Sequence, residues 1–106
     1  MKVQRNDEYT LVSVNQLSFE KLIGEIEKFA DNHLILEILE DLNISEDKIS
    51  LFLNISSDFK SNGMSFVILK TGIDIDDFPE SINIVPTLQE AKDIMEMEAI
   101  ERDLGF

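Results

Sequence analysis

Two short apolar runs dominate the pattern of hydrophobic and polar positions in this chain. The first run covers residues 34–39, LILEIL, and the second covers residues 66–69, FVIL. Neither run alternates regularly with polar residues, which is typical of strands that are buried on both faces of a parallel sheet. An amphipathic segment of helical length, residues 46–62, lies between them, as expected for the crossover of a βαβ unit. The pattern therefore predicts two parallel core strands joined by one helix.

Weaker patterns on either side of this unit predict the remaining elements. Composition rich in β-branched residues predicts two N-terminal strands, and apolar residues at helical spacing predict a first helix from near Ser18 to near Asn32. The segment Thr87-Leu88-Gln89-Glu90 has the pattern of a capping box, which marks the start of a last helix. The predicted strands cover residues 2–5, 9–14, 34–39, 64–71 and 82–85, and the predicted helices cover 18–32, 46–62 and the residues from 87 onward. Ser18 is the predicted N-cap of the first helix, and Gly63, just past the second helix, is predicted to end it in the left-handed conformation.

This order of elements, β-β-α-β-α-β-β-α, predicts an α/β fold. We expect a mostly parallel sheet of four to five strands, with antiparallel strands at the N-terminus and about three helices. A chain of 106 residues is long enough for one hydrophobic core and too short for two. Residues 1–106 are therefore expected to form a single domain.

Charge and composition narrow the classes of partner. A net charge of −13 argues against nucleic acid and against an anionic membrane surface as partners. Residues 74–106 hold ten Asp or Glu against Lys92 and Arg102, a net charge of −8, which fits either a solvated helix face or an acidic docking surface for a basic partner. The chain has no cysteine, no apolar signal segment and no run near the roughly 18 residues of a membrane span, so we expect a cytoplasmic protein.

The C-terminal segment carries two apolar stripes that are rotated relative to each other. The first stripe consists of Leu88, Ala91, Ile94 and Met95, and the second consists of Met97, Ile100, Leu104 and Phe106. A regular helix cannot present both stripes fully to one flat sheet. Either the last turns fold over another edge of the domain, or the second stripe is a docking strip that stays free for a partner protein.

The sequence offers little material for catalysis or for metal binding. It has no cysteine and one histidine, His33, which directly precedes a predicted buried strand. The four glycines form no phosphate-binding loop. The aspartates of residues 74–77 resemble part of a calcium loop, but Phe78 and Pro79 stand where such a loop needs an oxygen ligand and a glycine. We therefore expect a protein that is not an enzyme, with no catalytic residue, no metal and no cofactor.

The loop before the second predicted helix follows the strand residue Glu37 and leads into Ser45-Glu46-Asp47-Lys48 at the start of the helix. This arrangement resembles the switch loop of STAS domains, the anti-sigma-factor-antagonist family. The signature of that family is a strand that ends in aspartate, followed after a few residues by Asp-Ser-Ser-Gly at the start of a helix. In this chain Glu37 corresponds to the strand aspartate, and Ser45, Glu46, Asp47 and Lys48 correspond to the four signature residues. The phosphorylatable serine of the family is thus replaced by Asp47, or by Glu46 if the alignment shifts by one residue.

This resemblance implies a STAS-like fold and a non-catalytic regulatory module that binds a protein partner through Ser45, Glu46, Asp47 and Lys48. A kinase cannot phosphorylate a carboxylate, so the on–off switch of the family cannot operate at this position. Two interpretations of the acidic residues remain open. They provide a fixed charge that partly imitates a phosphorylated serine, or they are first-turn residues behind an N-cap at Ser45, where carboxylates interact favourably with the helix dipole.

The C-terminal segment, residues 85–106, is similar to that of short STAS-like proteins of Bacteroidetes, which are often labelled ribonuclease Z. A nuclease of that kind needs two zinc ions held by several histidines and aspartates. A chain with one histidine cannot be that nuclease by itself. The alternative function is therefore an accessory protein that associates with a ribonuclease Z and has no nuclease activity of its own.

Overall fold

In a computed structural model of the chain, which describes residues 1–105, a mixed sheet of five strands lies between helices on both of its faces. The strands are β1 (Lys2–Arg5), β2 (Thr10–Val14), β3 (Leu34–Ile38), β4 (Phe66–Leu69) and β5 (Ile84–Val85). The helices found in the described residues are α1 (Phe19–Gly24), α2 (Glu46–Ser61) and α3 (Leu88–Asp103), with short 3-10 turns at Ile26–Phe29 and Ile75–Asp77. Within residues 1–105, no helix is long and apolar enough to cross a membrane.

The strands lie side by side in chain order, from β1 to β5. β1 and β2 are antiparallel, and β2, β3, β4 and β5 are parallel. In the centre, Leu34 is opposite Phe66 and Leu36 is opposite Ile68, which confirms the predicted parallel pairing of the two apolar runs. The mostly parallel α/β architecture is thus as predicted. Because β2 to β5 all point the same way, the loops that follow them lie at one edge of the sheet, which we call the carboxyl edge.

The two faces of the sheet carry separate hydrophobic clusters. The larger cluster packs α1 and α2 against one face, with fully buried Phe52 at its centre. The ring of Phe52 lies 5.9 Å from the ring of Phe19 and 6.3 Å from that of Phe66, measured between centroids. On the other face, Ala91 and Met95 of α3 are buried in the smaller cluster. β3 and β4 are therefore covered on both sides, which explains their nearly continuous apolar sequence.

Helix α3 covers only part of its face. Its main contacts are with β4 and β5, so most of the side of β1 and β2 that faces the same way stays open. The open half carries polar side chains, and the hydroxyl of Ser13 donates to Oε1 of Glu37 at 2.5 Å. The one charged residue in the run LILEIL therefore lies where the sheet meets solvent. An open, polar face is expected for the antiparallel side of a mixed sheet.

The first helix differs from its prediction. A single helix was expected from near Ser18 to near Asn32, but α1 ends at Gly24 and a separate 3-10 turn follows at Ile26–Phe29. Glycine has a low helix propensity, and a 3-10 turn places residues three apart above one another, which keeps Phe29 buried. Ser18 occupies the predicted N-cap position, but its side chain makes no capping bond to α1.

Candidate functional site

The predicted switch residues lie at the carboxyl edge of the sheet. Ser45–Lys48 open α2, and the loops that come close to them are residues 15–18 after β2 and residues 39–45 after β3. In open α/β sheets, ligands and partners bind most often outside the carboxyl ends of the strands. The position of these residues is therefore consistent with a binding surface.

The loop of residues 39–45 is anchored by buried side chains and by hydrogen bonds. Leu42 is fully buried, and Ile44 packs against the larger hydrophobic cluster. The ammonium group of Lys70, directly after β4, donates to the carbonyl oxygen of Leu39 at 3.3 Å and to that of Leu42 at 3.0 Å. Since the Leu39 carbonyl also accepts the Leu42 backbone N–H at 3.1 Å, Lys70 adds a second bond to this turn. The loop therefore presents its exposed residues in a defined position.

The loop of residues 15–18 is also ordered by hydrogen bonds. The backbone N–H of Ser18 donates to Oδ1 of Asn15, and the backbone N–H of Asn15 donates to Oγ of Ser18, both at 3.0 Å. This bond from Asn15 takes up the hydroxyl that was expected to cap α1. The backbone N–H of Gln16 donates to Oδ1 of Asp41 at 3.3 Å, which ties this loop to the neighbouring loop. The two loops therefore form one surface.

The four predicted switch residues have different environments. The Lys48 backbone N–H donates to Oγ of Ser45 at 3.4 Å, so Ser45 is the N-cap of α2 as predicted. Glu46 and Asp47 are exposed in the first turn, where their charge favours the helix dipole. Lys48 is half-buried, and its ammonium nitrogen lies 5.4 Å from the centroid of the Phe19 ring. Lys48 thus helps to hold α2 against α1, and Glu46 and Asp47 are the members most accessible to a partner.

Two exposed leucines lie at the same edge and were not among the sequence candidates. Leu17 is 92% exposed at the tip of its loop, and Leu39 is 40% exposed just after β3. A single exposed leucine is ordinary on a protein surface. These two belong to loops that are joined by the Gln16–Asp41 hydrogen bond. The only sequence signal for Leu17 is an apolar residue inside a polar loop, which by itself does not indicate exposure.

A shallow cleft opens beside this edge, on the part of the sheet that α3 leaves uncovered. Its volume is about 430 Å³, and its lining includes Lys2, Ser13, Glu37 and Leu39. Because Ser13 and Glu37 bond to each other, each satisfies the other's polar group. Within residues 1–105, no group of three or more His, Cys, Asp or Glu has the arrangement of a metal site. The cleft extends the apolar surface around Leu39 and adds polar groups to it.

The histidine lies at the opposite, amino edge of the sheet. Nδ1 of His33 accepts a hydrogen bond from the backbone N–H of Ser65 at 2.9 Å, directly before β4. Burial lowers the pKa of His33, the nearby charge of Arg102 lowers this pKa further, and Glu98 opposes the shift. Since Nδ1 accepts a hydrogen bond, the folded protein favours the neutral imidazole. His33 therefore has a structural role in joining β3 to β4.

The predicted C-terminal docking strip is exposed where the structure describes it. Met97 is 54% exposed, Ile100 is 53% exposed and Leu104 is 66% exposed, all on the side of α3 that faces away from the sheet. Phe106, the fourth residue of the predicted strip, lies outside the described residues. These three residues therefore do not fold over another edge of the domain.

Comparison with known proteins assigns no family to this chain. No protein-family model matches the sequence, and no curated protein has a significant match to it. The functional evidence therefore consists of the residues and contacts of the carboxyl edge.

Proposed function

We propose that this chain is a STAS-like, non-catalytic regulatory module that binds a protein partner through its carboxyl edge. The observation that supports this most strongly is the pair of exposed leucines, Leu17 and Leu39, on two loops that are fixed by hydrogen bonds. An apolar side chain that is exposed on an ordered loop loses little conformational entropy when it enters a partner's pocket. The helix that follows β3, which carries the STAS-like residues, begins at the same surface.

The partner surface is expected to be basic around an apolar pocket. Four exposed carboxylates lie at the same edge as the leucine pair: Glu40 and Asp41 on the loop of residues 39–45, and Glu46 and Asp47 in the first turn of α2. Charge complementarity of this kind favours a protein with Lys and Arg at the rim of its binding site. A net charge of −13 argues against nucleic acid and against anionic lipid as the partner.

In this proposal, phosphorylation cannot switch the acidic first turn of α2. In a STAS domain a phosphorylatable serine switches the partner on and off, and here a carboxylate occupies that position. Asp47 carries less charge and fewer acceptor oxygens than a phosphoserine, so it imitates the phosphorylated state only in part. We therefore propose a permanently charged module that acts in the cytoplasm and is regulated by the amount of its partner.

Affinity capture from a lysate of the source organism, followed by quantitative mass spectrometry, tests this function. We expect a partner that the wild-type protein enriches and that both Leu17→Gln and Glu46→Gln/Asp47→Asn lose by at least about fivefold, which corresponds to about 1 kcal/mol. Ile100→Gln, which changes an exposed apolar residue of α3 far from this edge, is the matched control and is expected to retain the partner. Equal recovery of every captured protein by all variants would mean that the carboxyl edge is not the binding surface.

The same experiment examines the alternative function. An accessory protein of ribonuclease Z would capture that nuclease, and a STAS-like regulator would capture a different protein with a basic binding site. In either case the Leu17→Gln variant decides whether the carboxyl edge makes the contact. An assay of the captured nuclease on its substrate, with and without purified wild-type protein, would then show whether the module alters the activity of the nuclease.

A further inference from the structure

Helix α3 has a second apolar side that faces solvent. Met97, Ile100 and Leu104, which we call the outer stripe, are each more than half exposed, with fractions of 54%, 53% and 66%. The buried residues of the same helix, Ala91 and Met95, lie on the opposite side and pack against the sheet. The outer stripe is therefore not part of the hydrophobic core.

Polar contacts prevent the helix from rotating to bury this stripe. Oε2 of Glu98 accepts a hydrogen bond from Nδ2 of Asn83 at 3.0 Å. One turn later, Arg102 donates to Oγ of Ser65, a buried residue, at 3.4 Å. Rotation would break both bonds and expose Ala91, which has no accessible surface in the folded protein. The exposure of the outer stripe is thus imposed by the packing of the opposite side.

The outer stripe has the spacing of a coiled-coil seam. Its three residues follow the pattern i, i+3 and i+7, which corresponds to positions a, d and a of a heptad. In this register the flanking e and g positions are Glu96, Glu101 and Asp103, which are all exposed. Among residues 1–105, the ion pairs are Arg5–Asp31 and Lys28–Glu25, so these three carboxylates have no cationic partner within that part of the chain.

The charges that flank the outer stripe determine which kind of helix can bind there. Two copies of α3 would place carboxylates against carboxylates at e and g in either orientation, which disfavours a homodimer. Lys or Arg at the facing positions would instead form interhelical ion pairs. We propose that the outer stripe binds a helix of a partner protein with apolar residues at its a and d positions and Lys or Arg at its e and g positions.

This surface is separate from the carboxyl edge. Helix α3 begins after β5 at that edge and runs back along the sheet, so that Arg102 reaches Ser65 directly before β4. The outer stripe consequently lies towards the amino edge of the sheet. The inference therefore does not depend on the proposed function.

A synthetic peptide of about three heptads tests the inference directly. The peptide carries Leu and Ile at a and d and Lys at e and g, and its affinity for the purified protein is measured by fluorescence anisotropy at physiological salt. We expect the wild-type protein to bind this basic peptide and Ile100→Gln to bind it at least about fivefold more weakly. Since Ile100 is half exposed, its replacement is expected to leave the melting temperature nearly unchanged, and thermal unfolding is the check.

Two controls separate the seam from simple attraction between opposite charges. Leu17→Gln alters an exposed apolar residue at the other end of the protein and is expected to leave the affinity within about twofold of wild type. Glu96→Lys/Glu101→Lys is expected to lose the basic peptide and to gain binding of a matched peptide with Glu at e and g. If Ile100→Gln binds the basic peptide as well as wild type does, or if the peptide does not bind at all, the inference is overturned. A wild-type homodimer that Ile100→Gln dissociates in analytical ultracentrifugation would also overturn it, because a second copy would then be the occupant.

Discussion

Among single residues, His33 has the most sharply defined chemical state. Its Nδ1 accepts the Ser65 backbone N–H, and an imidazole that is protonated on both nitrogens cannot accept that bond. Burial and the charge of Arg102 lower the pKa of His33 below its usual 6.5, although Glu98 acts in the opposite direction. The unfolded chain therefore binds this proton more tightly than the folded protein does.

This difference predicts how stability depends on pH. The contribution of neutral His33 is fully present above pH 6.5, and it decreases as the pH falls from about 6.5 towards the lowered pKa of the folded state. The loss cannot exceed about 1.4 kcal/mol per pH unit, the limit for one proton. Urea unfolding between pH 7.5 and pH 5.5 measures the effect, and His33→Gln is expected to flatten the profile. A wild-type free energy of unfolding that stays constant or rises as the pH falls over this range would contradict the prediction.

At the scale of the elements, two glycines at helix ends differ in whether their backbone conformation requires glycine. Gly63, just after α2, has φ of 73°, and the backbone N–H of the next residue, Met64, donates to the carbonyl oxygen of Phe59 at 2.9 Å. This left-handed geometry ends the helix in the way that was expected from sequence. Gly24, the last residue of α1, does not have a positive φ, and a β-carbon added to it would meet no atom of the surrounding protein within 4 Å.

Alanine substitutions at these glycines are therefore expected to change stability in opposite directions. Gly63→Ala would force an L-residue into the left-handed region and lower the free energy of unfolding by about 1 kcal/mol. Gly24→Ala would reduce the entropy of the unfolded chain and raise the free energy of unfolding by about 0.5 kcal/mol. Chemical denaturation of the two variants side by side is the measurement. Equal effects at the two sites would show that backbone conformation does not control either helix end.

At the scale of the whole molecule, charge repulsion opposes folding. The net charge is −13, and the ion pairs within residues 1–105 are Arg5–Asp31 at 3.7 Å and Lys28–Glu25 at 3.5 Å. Both pairs are largely exposed and contribute little to stability. Most of the electrostatic energy that salt can screen is therefore repulsion between carboxylates.

Added salt is consequently expected to stabilise the protein. Raising NaCl from about 10 mM to about 100 mM shortens the Debye length from roughly 30 Å to roughly 10 Å. The urea midpoint at neutral pH should rise with this change, because repulsion is relieved more than the two exposed ion pairs are weakened. Glu96→Lys/Glu101→Lys, which reduces the net charge from −13 to −9 by two changes of +2, should gain less. A midpoint that falls with salt would show that attractive pairs dominate.

The sequence by itself determined the elements whose causes are local. The apolar runs predicted the β3–β4 pair, because a strand that is covered on both faces needs apolar residues at nearly every position. Ser45 and Thr87 predicted the starts of α2 and α3, since a cap is a hydrogen bond over three residues, and in both helices it forms. Gly63 likewise predicted the end of α2, because the left-handed conformation depends only on one residue and its immediate neighbours.

Only the tertiary structure decided which side chains meet and which stay exposed. The sequence does not show that the loops of Leu17 and Leu39 are neighbours, because the Gln16–Asp41 bond joins residues far apart in the chain. It also left open whether the outer stripe folds over another edge of the domain, and the packing of Ala91 against the sheet leaves Met97, Ile100 and Leu104 exposed. These features depend on where α3 lies on the sheet and on how the loops are tied together. Both are set by long-range contacts, which a local pattern of residues does not contain.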